Sequence, residues 1–238
     1  MKSEQIGPLN CVVIDGGPDP SRLVVLCHGF GAPGQDLVPI GDFLLQGLGQ
    51  SAQQYRFIFP EAPIDLTSEG MPGGRAWWSL NMQRLMALFE ANDFSELRTE
   101  VPPGIDEARD KIVDTIESAR NSMPRCESLV IGGFSQGAML TLDATLRGLS
   151  TPPDGLIQFS GTLICEPLWQ QHRDRLQSVR VMQSHGTSDF VLPYSAALWL
   201  REFLEGSSEF EFISFDGPHA IPMESLQGAI ELLSQLHQ

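Results

Sequence analysis

Gly133, Ser135 and Gly137 form G-x-S-x-G within "LVIGGFSQGAML", residues 129–140. A serine in that setting can attack a carbonyl carbon. In a chain with 23 glycines the pattern alone carries little weight, but its flanks carry more. Leu129, Val130 and Ile131 lead in as a buried strand, and Ala138, Met139 and Leu140 lead out as a helix. Strand, tight turn and helix make a nucleophile elbow, which lifts Oγ above the sheet edge and aims helix amides at it. The chain must reverse so sharply there that side chains at 133 and 137 would collide, which gives both glycines a steric purpose. The competing reading is a serine that only caps a helix.

A serine nucleophile needs a base, and the base needs an orienting acid. In this architecture they follow in the order serine, acid, histidine. Of His28, His172, His185, His219 and His237, only the last two come after a plausible acid. His237 is penultimate and expected to fray. His219, in "FDGPHAIP", lies between the last strand and the last helix, on the rim where open α/β sheets keep their sites. The best acid is Asp189 in "SHGTSDFVLP", just past the preceding strand. Asp216 is the alternative, although three residues from His219 it is better suited to forming a turn with Gly217. Asp143 falls inside the helix after the elbow, Asp154 on the opposite rim and Asp174 in a polar helix-like stretch.

Acyl transfer also needs donors for the oxyanion. The backbone amide of Gln136, directly after the serine, supplies one. The loop "CHGFGAPG" supplies the other, with Phe30 the expected donor and His28 a loop-shaping neighbour. The same loop matches the dinucleotide fingerprint G-x-G-x-x-G at residues 29–34, which makes a dinucleotide-binding protein a rival. Pro33 stands where helix amides should meet a pyrophosphate, and "PEAP" follows the next strand where the fingerprint wants an acid. A further rival is a binding module that keeps the scaffold without catalysis. Trp77, Trp78, Leu80, Met82, Leu85, Met86 and Phe89 either line an apolar groove over the serine or pack their segment onto the body. Trp77 and Trp78 cannot both face inward from an extended strand.

The elements needed to position these residues are legible. Apolar runs at 22–27, 56–60, 128–133, 155–160, 179–184 and 210–215 read as strands, most of them buried on both faces, with 11–15 as an extra edge strand. Helical patterns separate them. Residues 106–120 put Ala108, Ile112, Ile116 and Ala119 on one stripe, and Pro193 and Pro222 open two more helices. This alternation predicts a mostly parallel sheet with helices on both faces. One domain over 1–238 is the simplest division. The exception to the rhythm is a lid-like excursion at 61–104.

Lys and Arg number 15 against 30 Asp and Glu, a formal charge of −15, which disfavours nucleic acid and anionic surfaces as partners. Lacking an apolar leader or an 18-residue apolar run, the chain is expected in the cytoplasm, without a membrane span. Its four cysteines are too far apart for a C-x-x-C metal or redox motif and read as free, mostly buried thiols. The chemistry outlined needs no cofactor and no metal.

Taken together, "LCHGFG", "FPEAP", "RAWWSL", "GGFSQGAML", "QSHGTSDFVLP" and "GPHAIP" resemble, in order, the carboxylesterase and acyl-protein thioesterase family of α/β-hydrolases, also called the phospholipase/carboxylesterase family. The resemblance runs from about residue 22 to the C-terminus. It implies an α/β-hydrolase fold and cleavage of carboxylic esters or thioesters through an acyl-enzyme. Ser135 matches the family's nucleophile, Asp189 its acid and His219 its base. Phe30 and Gln136 match its oxyanion donors, and "RAWWSL" looks like the segment at the mouth of its site. Lysophospholipase and acyl-protein thioesterase specificities are both within its range, with small or lipid-like esters as substrates. Phe190 stands where the family often has proline, Pro218 where glycine is usual, and Cys27 where a larger apolar residue is common.

Overall fold

A computed structural model describes residues 1–81, 83–84, 88 and 93–236. Met82, Leu85, Met86, Phe89 and His237 lie outside the described residues. The central sheet has eight strands. In chain order its strands and their neighbours are β1 (Lys2–Ile6), β2 (Leu9–Asp15), β3 (Arg22–Cys27) and β4 (Tyr55–Pro60), a small ribbon of β5 (Ile64–Asp65) and β6 (Arg75–Ala76), then β7 (Ser128–Phe134), β8 (Gly155–Phe159), β9 (Arg180–Gly186) and β10 (Glu209–Phe215). The sheet runs β1-β2-β4-β3-β7-β8-β9-β10. From β4 to β10 every pairing is parallel, and β1 and β2 add antiparallel strands at one end.

Two expectations change here. Residues 11–15 belong to a strand that is paired on both sides, so the edge is β1. "KSEQI" is mostly polar and half exposed, and pairs only with β2, so it lacks the apolar run by which strands were sought. At the other end only Phe215 of β10 is buried, as suits an edge strand with one open face.

Strand residues alternate between two cores. In β3, Leu23, Val25 and Cys27 pack on one face, Val24 and Leu26 on the other. The first core is covered by α2 (Ile105–Ser122), α3 (Gln136–Asp143) and α4 (Tyr194–Leu204). The second is covered by α1 (Val38–Leu48) and α5 (Met223–Gln235). The stripe foreseen on α2 is buried at Ala108, Ile112, Ile116 and Ala119, and Asp106 and Glu107 occupy its first turn. Every residue of α3 is buried; the helix packs on β3, β7 and β8 and against α2, which itself reaches β1 and β2. A π-helical turn, Ala144–Gly148, extends it. Among the described residues no helix is long and apolar enough to cross a membrane.

Candidate active site

Ser135 sits between β7 and α3 with φ 55° and ψ −116°, a backbone conformation that L-residues rarely adopt. The surrounding packing enforces that turn. A Cβ on Gly133 would lie 2.4 Å from the Cys27 carbonyl oxygen and 2.7 Å from the backbone of Gly137. One on Gly137 would lie 2.1 Å from the same Cys27 oxygen. Both glycines are therefore required for the turn to fit against the end of β3. The Ser135 amide donates to the Phe159 carbonyl at 2.9 Å, tying the turn to β8. The serine is 9% exposed and lines a cavity of about 800 Å³.

Asp189 and His219 meet across two loops. The His219 loop passes so close to the end of β9 that a Cβ on Gly186 would lie 2.3 Å from the Gly217 oxygen. The Thr187 amide donates to Phe215 at 2.9 Å and the Ser188 amide to Gly217 at 3.0 Å. These bonds bring His219 Nδ1 to 2.6 Å from Asp189 Oδ2. The exposed Asp216 points to solvent instead, so of the two acids considered Asp189 is the one on the histidine. Oδ1 of Asp189 accepts the Val191 and Leu192 amides, each at 2.8 Å. Burial pushes this carboxyl up. The bonds from His185 and His219, the His219 charge and the Leu192 amide outweigh it and hold the group well below the ordinary carboxylate range. His219 lines the same cavity as Ser135, and its ring lies 4.6 Å from that of Phe134.

The loop after β3 brings Phe30 to the cavity wall beside Gln136. His28 shapes it, as expected. Its Nδ1 is 2.8 Å from the Gly29 oxygen, and Nε2 accepts the Ala62 amide at 3.1 Å. Burial holds this ring below the ordinary histidine range, against that bond and the nearby Asp36 and Glu61. A Cβ on Gly29 would lie 3.2 Å from Cδ1 of the Phe134 ring and 3.4 Å from the Ser135 Cβ, so the loop packs closely on the strand end that carries the serine.

The beginning of the excursion is bonded to the body. β6 pairs with the loop after β3, through Gly31 to Arg75 at 2.9 Å and Arg75 to Ala32 at 3.1 Å. The Gln136 side chain accepts the Trp77 amide and donates to the Trp78 carbonyl, both at 2.9 Å. Sequence reasoning gave Gln136 a backbone role only and did not reveal this clamp. Both tryptophans are buried because the chain turns at them rather than running extended. Trp78 and Leu80 line the cavity. Trp77 does not. Its Nε1 donates to the His28 carbonyl at 2.9 Å and its ring lies 5.5 Å from that of His28, so it packs behind the wall. Met139, Thr162, Ile164 and residues 101–103 add apolar wall, and Asp36, Arg84 and Glu100 also line it; most come from segments too far apart in the chain to be grouped by spacing.

His185 was also missed. It precedes the acid, and the chain-order rule set it aside. It is fully buried at the end of β9, with Nε2 3.2 Å from Asp189 Oδ2 and 2.8 Å from the Leu192 oxygen. A histidine and an aspartate four residues apart at a strand's C-terminal end were the available signal.

The sheet and the elbow at its centre are those of an α/β-hydrolase. Among solved structures, the crystal structure of esterase PE8 superposes with a TM-score of 0.75 at 24% identity, over 99% of both chains. The chain belongs to the Phospholipase/Carboxylesterase family, whose profile matches residues 9–237. That reaches further towards the N-terminus than the motifs did. Acyl-protein thioesterase 1 of Saccharomyces cerevisiae is 26% identical over 196 residues, 82% of each chain. That of Eremothecium gossypii is 30% identical over 178 residues, 73% of this chain and 68% of its own. This chain is accordingly an enzyme of the esterase and thioesterase class.

Proposed function

We propose that the chain is a serine esterase that works through a Ser135–His219–Asp189 triad and an acyl-enzyme, on carboxylic esters or thioesters with an apolar acyl group. The observation that carries this reading is the 2.6 Å bond between His219 and Asp189 beside the cavity that also holds Ser135. His219 Nε2 takes the serine proton as Oγ attacks the carbonyl carbon. The oxyanion is received by the amides of Phe30 and Gln136. The imidazolium then protonates a leaving alcohol, or supplies the proton as a thiolate leaves, and water repeats the cycle on the acyl group. Asp189 keeps the imidazole proton on Nδ1 and offsets the charge that develops. Trp78 and Leu80 belong to the acyl wall.

Ser135→Ala tests it. The variant should keep the wild-type melting temperature, lose reaction with a fluorophosphonate probe, and hydrolyse p-nitrophenyl esters at least about 10³-fold more slowly. Equal hydrolysis by both proteins would overturn the assignment. Absence of probe labelling in the wild type would favour a non-catalytic binding module.

A further inference from the structure

Asp189 Oδ2 has a second partner that this mechanism does not use. His185 is fully buried, and its Nε2 reaches both the Leu192 carbonyl at 2.8 Å and Oδ2 at 3.2 Å. A carbonyl only accepts, so the proton of the neutral ring lies on Nε2. Nδ1 agrees with this: it is buried and has no partner among the described residues, as an unprotonated nitrogen can be and a buried N–H should not. The Nε2–H bonds Leu192, and the very oxygen that faces His219 lies 3.2 Å from the same nitrogen, close enough to feel the positive edge of the ring. Leu192 in turn donates its amide to Oδ1. His185 thus closes a ring in which the acid, its loop and the strand end hold one another.

We propose that His185 is a positioning residue for Asp189. Its Nε2–H keeps Oδ2 aimed at His219 and takes up part of that oxygen's charge, so that the protonated form of His219 is stabilised less than it would be by an unshared carboxylate. The proposal rests on the triad reading above. The ionisable groups around the acid are His219 from the loop after β10, His185 from β9, and Tyr194 from α4, whose ring lies 6.4 Å from that of His185 and whose hydroxyl bonds Ser214. Asp216, in the His219 loop, is exposed.

The test compares His185→Met, which removes the donor, with His185→Gln, whose terminal amide can return an N–H to the Nε2 position. Rates are read from pH 4.5 to 9 on a neutral p-nitrophenyl ester. In His185→Met the acid limb of kcat/KM should move up by about 0.5–1 pH unit, because His219 then faces a carboxylate with one donor fewer. Its kcat should fall about tenfold as the acid loosens. His185→Gln should keep the limb within about 0.2 unit of wild type. The low-field proton resonance of His219 Nδ1–H should move further downfield in the Met variant and not in the Gln variant. If His185→Met does not fold, His185→Asn, too short to reach Oδ2, replaces it. An acid limb that superimposes on wild type in the donor-less variant overturns the proposal, whatever happens to its melting temperature. If the wild-type rate survives Ser135→Ala, the triad reading itself has failed. An unmoved limb with Ser135-dependent activity defeats only the role of His185.

Discussion

At the residue scale, the site depends on one carboxylate that is kept ionised inside the protein. Three donors bond Asp189, two amides on Oδ1 and the His219 imidazole on Oδ2, and His185 Nε2 lies 3.2 Å from Oδ2. With its folded pKa pulled below the unfolded value, the stability it contributes is complete above the ordinary aspartate value near 3.9 and is lost as pH falls below that. Asp189 is thus still charged while a histidine titrates, and the acid limb of kcat/KM should follow a single proton. A limb of slope two would mean that the acid titrates with the base. Asp189→Asn should leave the Oδ1 contacts possible but present an amide N–H to His219 Nδ1, which favours the wrong tautomer. We expect kcat to fall about 10³–10⁴-fold. The wild type's margin in melting temperature over this variant should shrink from pH 7 to pH 3. Ser135, Asp189 and His219, the proposed triad, were legible because each lies just past the C-terminal end of a parallel strand, on one rim of the sheet. His185 was not, since the rule that found His219 ranks histidines by order along the chain, while His185 stands behind the acid, 3.2 Å from Oδ2.

At the element scale, legibility followed apolar periodicity. The parallel strands β3, β4 and β7–β9 are nearly continuous apolar runs, and α2 carries a regular stripe, so both were read with small boundary differences. β1 was missed because polar residues dominate an edge with water on one side. The excursion was legible as an interruption but not as what it becomes. Residues 61–78 form a wall fastened to the loop after β3 and to the first residue of α3. Gln136→Met isolates that fastening, since it keeps the backbone amide and the side-chain length while leaving the Trp77 N–H and Trp78 carbonyl unpaired. Each buried group left without a partner costs about 1–3 kcal/mol. For two such groups in a chain of this length that corresponds to a melting temperature lower by roughly 4–24 °C. Differential scanning calorimetry reads it directly. Unchanged thermal stability would show that the clamp contributes nothing to holding the wall.

At the scale of the whole molecule, the cavity was foreshadowed only by the apolar run at Trp78 and Leu80, and most of its wall was not. Its described lining comes from the loop after β3, residues 78–81, 84, 97 and 100–103, the elbow, Thr162, Ile164, the loop after β9 and His219, which come together only when the sheet forms. Its roughly 800 Å³ falls within the range of sites that enclose a drug-sized ligand. Its wall is largely apolar, so chain length rather than charge should govern the choice of acyl group. Each methylene transferred from water into such a site is worth about 0.8 kcal/mol, or nearly fourfold in kcat/KM, until the cavity is full. Across p-nitrophenyl acetate, butyrate, octanoate and palmitate, kcat/KM should rise by at least about tenfold from acetate to octanoate. Ile164→Trp, which adds bulk to the lining, should abolish that rise and leave acetate within about threefold of wild type. A maximum at acetate in the wild type would mean that the apolar space lies off the acyl path. The substrate would then be a small ester, with the cavity receiving the leaving group instead. The overall charge of −15 gives an independent check on that orientation. Salt should leave the rate on neutral esters almost unchanged and raise it for substrates with an anionic leaving group, whose approach the chain's own field opposes.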